Sequence, residues 1–499
     1  MTTYANVYIV QDKNDLMKII KDIHIPIHGR VSISLMAKYF IDSKYFQRLH
    51  ELRQLATCNK VFPSATHTRF EHSIGTYYLA DRLLNRIKLD TAQNNIVLWL
   101  YQNPLLNIYF NEYVSKSDDG ALYVNLNDYD LSIINTITNK INWIFELIRI
   151  GALCHDIGHG PFSHAFDDVF IKKSDLRDHP YAAHEARSCK MIELITNESE
   201  ILRKNISESD IKFIQTIIDP DETCEGFVYH IVSNNLNGLD VDKYDYIARD
   251  NLHLGLDYNF NSYKLIDSSK VLNNKITYDD KYKFDILDLF QKRHRLHKIA
   301  YGHKSVISSL FLTTDLMKIL DKVIDISKSI LDMNVFINMT DEYIIQYIKI
   351  ILQFQNAQNN PFANKLTVDD YDVLKKLYNR YQIRDLYTHI GTILTKEQII
   401  IDEHFNDPTH IIHYAKNGYV SGNKTNPMNN IYTYKAKDLS SNNENVECNI
   451  NINDISYIVP EIYQEYIAMV FCRDKNYDKI LQDKQKIENI KIIIRDTLK

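Results

Sequence analysis

The sequence predicts a mainly α protein, with a helical core over residues 1–330 and a smaller mixed α/β lobe over 331–499. Three observations carry this. Apolar residues recur at helical spacing in the first two thirds of the chain, as from residue 68 on, where Phe70, Ile74, Tyr78, Leu79, Leu83 and Ile87 share one face. The run 143–154 is apolar at the same spacing (Ile144, Leu147, Ile148, Gly151) and reads as a buried helix. After residue 330 the texture changes, and alternating stretches at 410–415 and 431–436 flank a Gly/Asn-rich turn at 417–430, the pattern of a hairpin.

In chain order, residues 1–30 form an extended lead-in with Pro26 and Gly29. Ser32 or Ser34 caps a helix over 35–41. A longer helix is predicted over 44–55, with Tyr45, Leu49 and Leu52 on one face, followed by a loop containing Pro63. The helix from about residue 68 carries His72 in its first turn. Residues 103–130 break into a polar surface insertion with room for one hairpin at Asp118-Asp119-Gly120. A charged segment at 172–180 precedes a helix over 184–195, and 208–218 and 227–234 read as helical. Residues 240–250 are amphipathic and acidic, and 287–310 reads as one long basic helix. Helices continue to about 390, 438–454 is an Asn/Ser-rich loop, and helices over 459–471 and 476–497 close the lobe.

A formal charge of −6 on 499 residues gives no global basic field, so any nucleic-acid contact has to be local. No stretch is apolar for long enough to span a bilayer, and no signal pattern opens the chain; a soluble intracellular protein of cytoplasm or nucleus is expected. Six scattered cysteines with no Cys-x-x-Cys pair read as reduced thiols.

The chemistry gathers in 151–167, Gly-Ala-Leu-Cys-His-Asp-Ile-Gly-His-Gly-Pro-Phe-Ser-His-Ala-Phe-Asp. A His-Asp pair ending an apolar helix is costly to bury unless something binds both side chains. Adjacent helical residues point about 100° apart, so His155 and Asp156 converge only on an object beside the helix end. A metal ion is such an object; a pair of satisfied core polar residues is the bland alternative. His72 and Asp242, on two other predicted helices, complete a mixed nitrogen and oxygen set. That set suits manganese, iron, zinc, nickel or magnesium better than copper(I). An open coordination position separates a catalytic from a structural site.

The pattern His … His-Asp … Asp resembles that of the HD phosphohydrolase superfamily. More closely, Gln47-Arg48-Leu49, Val61-Phe62-Pro63, His67-x-Arg69-Phe70-Glu71-His72-Ser73, 155–167, 237–250 and 293–304 resemble the deoxynucleoside triphosphate triphosphohydrolases. Within that family the likeness is to members that fuse a sterile-alpha-motif domain to the HD domain, here expected without that first domain. The resemblance implies an HD-domain core and metal-dependent conversion of a dNTP to deoxynucleoside and inorganic triphosphate. Cleavage at the 5′ oxygen expels an alkoxide and needs a proton donor. His159, His164 and His184 are candidates; the resemblance puts His164 and His184 closest to that role, with Asp167 beside them. It matches Arg69, Lys243 and Arg293 to phosphate contacts, Tyr246 to a hydroxyl donor, and His297 to a less defined contact. Gln54 and Asp250 match positions holding the 3′ hydroxyl, while Leu55 and Tyr301 match those packed where a ribose 2′ hydroxyl would sit. Singly, each of these also reads as a core or surface residue. Magnesium on the substrate phosphates is part of the same expectation.

The resemblance also implies dimers or tetramers with a nucleotide effector between subunits, the lobe 331–499 serving assembly or regulation. Asp42, Gln47, His303 and Lys304 match that effector set, and Lys264 is a like-charged replacement. Other positions depart: His50 and Arg30 replace an expected arginine and histidine, Ile25 an aspartate, and Thr388 and Thr425 lysines. Effector control is therefore expected to be weakened. Two other readings compete: an HD phosphodiesterase or nuclease on single-stranded nucleic acid, and a non-catalytic nucleotide-binding module. The intact motif argues against the second, and the lack of a basic, aromatic stripe against the first.

Overall fold

The computed structural model describes residues 10–125, 131–257, 260–419, 426–435, 448–449 and 462–497. The lead-in is a one-turn helix α1 (Lys13–Leu16) and an antiparallel hairpin, β1 (Ile19–Ile25) with β2 (Gly29–Ser34). Its turn takes Ile27 and Gly29 to φ 76° and 69°. Ser34 ends β2 and caps α2 (Leu35–Ile41), its Oγ accepting the Ala37 N–H. The predicted helix over 44–55 is shorter. After α3 (Lys44–Gln47) and a 3-10 turn Arg48–Glu51, the chain extends so that Arg53 bridges Thr68. The buried Arg48 guanidinium is drawn out of helical register by carbonyls of Ile157, His159, Ile337 and Met339. Tertiary hydrogen bonds override local propensity here.

A capping box of Thr68 and Glu71 starts α4 (Arg69–Asp90), as its Thr-x-x-Glu spacing requires. After α5 (Gln93–Tyr101), the insertion forms the expected hairpin, β3 (Val114–Lys116) with β4 (Leu122–Val124). The apolar run is the second half of α6 (Leu131–Cys154). Then come α7 (His184–Glu198), α8 (Glu200–Asn205), α9 (Glu208–Ile218) and α10 (Val241–Leu254). Residues 227–234 contain only the 3-10 turn Phe227–His230. α11 (Ser262–Ser268), β5 (Ser269–Leu272) and β6 (Lys275–Asp279) follow. The predicted long helix over 287–310 is two helices, α12 (Lys283–Leu296) and α13 (Lys304–Ile324), joined through a π-helical turn His297–Tyr301. His303 starts the second afresh, its ring accepting the Ser305 N–H.

α14 (Met333–Phe336), α15 (Asp341–Phe354) and α16 (Val368–Gln382) precede the strands β7 (Thr388–Thr395) and β8 (His410–Gly418). The predicted hairpin does not form. β8 pairs with β11 (Gln464–Cys472), while β9 (Tyr432–Tyr434) joins a different sheet, parallel to β6 and beside the short β10 (Cys448–Asn449). Residues 420–425 of the predicted turn, and most of the 438–454 loop, lie outside the described residues. The predicted helix over 459–471 is instead β11, the central strand of an antiparallel sheet ordered β7-β11-β8. Both faces of β11 are covered: Ile467, Met469 and Phe471 pack toward α13, and Ala468, Val470 and Cys472 toward α17 (Tyr477–Thr497). A strand buried on both faces reads as a continuous apolar run, which periodicity cannot separate from a buried helix. No helix among the described residues is long and apolar enough to cross a membrane.

The main core packs α4 against α6 and α10, the three helices that carry the predicted metal ligands. Gly75 lets α4 approach α10: a Cβ there would lie 1.9 Å from Asp245 Oδ1 and 2.6 Å from Arg249 Nη2. Gly75→Ala should therefore lower stability by about 1–3 kcal/mol, read as the midpoint of chemical denaturation. An unchanged midpoint would contradict this close approach.

Candidate metal centre and active site

His72 stands in the first turn of α4, His155 and Asp156 directly follow α6, and Asp242 stands in the first turn of α10. Their ligand atoms converge. His72 Nε2 and His155 Nε2 are 3.3 Å apart, and Asp242 Oδ1 lies 3.1 Å from the first and 3.5 Å from the second. Asp156 Oδ2 is 3.5 Å from His72 Nε2 and its Oδ1 3.5 Å from His155 Nε2. The other ring nitrogens assign the tautomers. His72 Nδ1 faces Asp245 Oδ2 at 2.7 Å and His155 Nδ1 faces the Ala152 carbonyl at 2.9 Å. Each partner is an acceptor, so each Nδ1 carries the proton and each Nε2 presents a bare lone pair. Two imidazole nitrogens and two carboxylates thus face one another, with Arg69 donating to Asp156 Oδ2 from the side, a set that fits a divalent cation. Without a cation, protons are drawn in: burial disfavours a charged imidazole, yet Asp242 and Asp245 hold the His72 pKa up at about 10.

Beside this centre runs a row of histidines. Buried His159 stacks on His184 with ring centroids 3.7 Å apart, and its Nε2 lies 3.2 Å from Asp156 Oδ1. Asp156, His159 and His184 form a second group close enough to hold an ion, so Asp156 faces both clusters. Asp167 Oδ2 lies 3.3 Å from His184 Nδ1 and 3.4 Å from His159 Nδ1. Arg187, fixed by the carbonyls of Gly158, Tyr181 and Ala182, holds the Asp167 carboxyl well below its usual range against the effect of burial. His164 departs from the predicted pairing. It is exposed on the cavity wall, and Asp168, not Asp167, lies against it, with Oδ2 3.3 Å from Nδ1. Environment separates these histidines. Burial, helped by Arg69 and His184, pushes His159 down to about 3, whereas the Asp168 hydrogen bond overcomes desolvation and raises His164.

All nine predicted substrate contacts, Gln54, Leu55, Arg69, Lys243, Tyr246, Asp250, Arg293, His297 and Tyr301, line one cavity of about 700 Å³. Arg69 donates to Asp156 and to Ser163 Oγ, and Lys243 Nζ to Asp240 Oδ2 at 2.8 Å. Arg293 Nε donates to the Tyr246 hydroxyl at 3.1 Å. Asp250 accepts from the Tyr301 hydroxyl and from His67 Nε2 at 2.7 Å. The buried Gln54 Oε1 has no partner. Burial and the Arg293 guanidinium push the His297 pKa well below the usual imidazole value.

The predicted effector residues stand elsewhere. Asp42 pairs with Lys38 and Lys21, Gln47 donates to the Ile41 carbonyl, and His303 and Lys304 open α13. Lys264, 3.6 Å from Asp285, lines a separate cavity of about 360 Å³. None of the five lines the larger cavity. Of the departing positions, His50 stacks on Phe70, exposed Arg30 pairs with Asp22 at 2.6 Å, and Thr388 opens β7; Thr425 lies outside the described residues.

Sequence reasoning missed Asp168, Asp245 and Arg187. Asp245 had a signal: it stands one turn after Asp242, on the same face of α10. Arg187 had none: its carbonyl partners, Gly158, Tyr181 and Ala182, carry no side-chain signature, and its carboxylate partner Asp167 lies twenty residues earlier in the chain.

An HD domain model matches residues 132–246. A putative HD domain-containing protein of Acanthamoeba polyphaga mimivirus is 34% identical, over 90% of this chain and 91% of its own length. A protein named deoxynucleoside triphosphate triphosphohydrolase SAMHD1 homolog in Dictyostelium discoideum is 29% identical, over 97% of this chain and 80% of its own. The deoxynucleoside triphosphate triphosphohydrolase SAMHD1 of Homo sapiens is 28% identical, over 93% and 72%. Since these likenesses span nearly the whole chain and include the helices that bring His72, His155, Asp156 and Asp242 together, the chain belongs to the family of HD-domain deoxynucleoside triphosphate triphosphohydrolases.

Proposed function

We propose that the protein hydrolyses deoxynucleoside triphosphates to deoxynucleoside and inorganic triphosphate, in a reaction that needs a divalent metal and limits the dNTP pool. One observation carries the reading: a four-acceptor centre and a row of titratable histidines open into the same cation-lined cavity. A divalent ion held by His72, His155, Asp156 and Asp242 would polarise a phosphoryl oxygen and activate water.

The protein's own groups do the rest. Arg69, Lys243, Arg293 and the Tyr246 hydroxyl bind the magnesium-loaded triphosphate, the three cations exchanging their internal acceptors for phosphate oxygens. Water's oxygen bonds to the α-phosphorus and releases its proton to solvent, the bond to the 5′ oxygen breaks, and the leaving alkoxide takes a proton. His164, whose pKa the hydrogen bond to Asp168 raises, supplies that proton, and His184, held by Asp167, is the second candidate. His159 is neutral and acts by packing His184 in place. Gln54 and Asp250 bind the 3′ hydroxyl. Leu55 has no polar atom in its side chain and the Tyr301 hydroxyl is engaged by Asp250, so a ribose 2′ hydroxyl would be buried without a partner. Residues 331–499 serve assembly into dimers or tetramers, with weakened nucleotide control because His50 and Arg30 are already engaged within the chain.

Asp156→Ala should lose bound metal, read by elemental analysis, and at least about 100-fold in turnover, while its far-ultraviolet dichroism is retained. Wild-type turnover with no bound metal would defeat the assignment. Chromatography of a dGTP digest should show deoxyguanosine and triphosphate; dGMP with pyrophosphate, or digestion of labelled single-stranded DNA instead, overturns the role of His164 and His184. Leu55→Ala and Tyr301→Ala should narrow the preference for dGTP over GTP by roughly 1–3 kcal/mol. Turnover of dATP should proceed without GTP, with little change in sedimentation when GTP is added; a strict GTP requirement with a shift to tetramer contradicts weakened control.

A further inference from the structure

The chain beyond residue 331 returns to the active site through residues 337–341. The carbonyls of Ile337 and Met339 accept from Arg48, and Thr340 Oγ1 donates to Glu51 Oε2 at 2.8 Å. Asp341, the first residue of α15, is buried, and its two carboxylate oxygens face two different segments. Oδ1 accepts the Phe162 N–H at 2.6 Å and Oδ2 accepts the Arg53 N–H at 3.1 Å. Phe162 and Ser163 lie at φ 59° and 53°. Two successive side-chain-bearing residues persist in left-handed backbone only where their surroundings hold them. Ser163 Oγ completes the link, donating to the Arg53 carbonyl at 2.8 Å and accepting from Arg69 Nε at 2.9 Å.

These two segments lead directly into residues with distinct roles in the proposed reaction: His164 follows Phe162-Ser163, and Gln54-Leu55 follow Arg53. We propose that Asp341 is a positioning residue that fixes the proton-donor segment 162–164 against the sugar-binding segment 53–55. One carboxylate thereby sets both leaving-group protonation and sugar selection, an inference that rests on the functional reading above. Only a side chain with two acceptor atoms can serve both backbone N–H groups at once; an amide in its place turns an N–H₂ toward one of them. Burial pushes the Asp341 carboxyl up to about 6, opposed by the Phe162 and Arg53 N–H groups that favour its charged form.

The test compares wild type with Asp341→Asn, Asp341→Glu and Asp341→Ala by hydrogen exchange, metal content, and kcat and KM for dGTP and GTP. Asp341→Asn should keep its metal and its unfolding temperature while the amides of both segments exchange faster. Its kcat for dGTP should fall by about 10- to 100-fold with little change in KM, and its ratio of dGTP to GTP turnover should narrow. Asp341→Glu should recover part of kcat. Exchange that stays unchanged, or rises in one segment only, overturns the proposal. So does faster exchange in both segments with wild-type kcat and sugar ratio. If wild type releases no triphosphate from dGTP, the functional reading fails by itself, and paired loosening of the two segments alone upholds or overturns the clamp. If Asp341→Ala does not fold, the asparagine variant decides.

Discussion

The site depends on the carboxylate of Asp245. It has no exposed surface and takes hydrogen bonds from His72 Nδ1 at 2.7 Å, His28 Nε2 at 2.6 Å, and Arg249 Nε and Nη2 at 2.8 and 2.9 Å. Burying such a charge unpaired would cost several kcal/mol; here Arg249 and the two imidazoles keep it well below the usual carboxylate range despite desolvation. Three separate pieces of chain are tied to it: the tip of the N-terminal hairpin through His28, α4 through His72, and α10 by its own position. The same bond that holds α4 against α10 fixes the tautomer of His72, and so which nitrogen faces the candidate metal centre. Packing and chemistry are set by one contact, and Gly75 is small because that contact leaves no room for a methyl group.

From that fixed point the site divides its labour by environment. His159 and His164 are five residues apart and chemically identical, yet one is buried beside Arg69 and neutral, while the other sits against Asp168 with its pKa raised. Sites that need both a neutral and a protonated group reach that state by such asymmetry of surroundings. The cations of the cavity are kept in readiness by internal acceptors: Arg69 by Asp156 and Ser163, Lys243 by Asp240, and Arg293 by Tyr246 and the Gly418 carbonyl at 2.6 Å. In the proposed reaction an incoming triphosphate would replace neighbours of like chemistry rather than fill an unsatisfied shell.

What was legible in the sequence had local causes. The Ser34 cap and the helices from residue 68 and over Glu208–Ile218 follow from capping and periodicity, and the His-Asp motif follows from the cost of burying it. What was not legible had distant causes. Arg48 leaves its helix for carbonyls more than a hundred residues away, and β11 is masked by being buried on both faces. Of the candidate site, the four acceptors and the cavity lining were readable, but the partners that orient them were not. Asp168 was hidden beside a better-matched Asp167, and Asp341 acts on backbone N–H groups that carry no sequence signature.

The parallel pairing of β6 with β9 constrains how the polypeptide is made. Thr277 meets Tyr432, so some 155 residues must be added before the neighbour of β6 exists. At ordinary elongation rates that wait is on the order of ten seconds or more. During it, the hydrogen-bonding edge of β6 is open beside the helices of the catalytic core, a ready partner for any other extended segment. Completion of the catalytic fold is thereby timed to late synthesis, and a nascent chain stalled before residue 432 would present an adhesive edge rather than a finished enzyme.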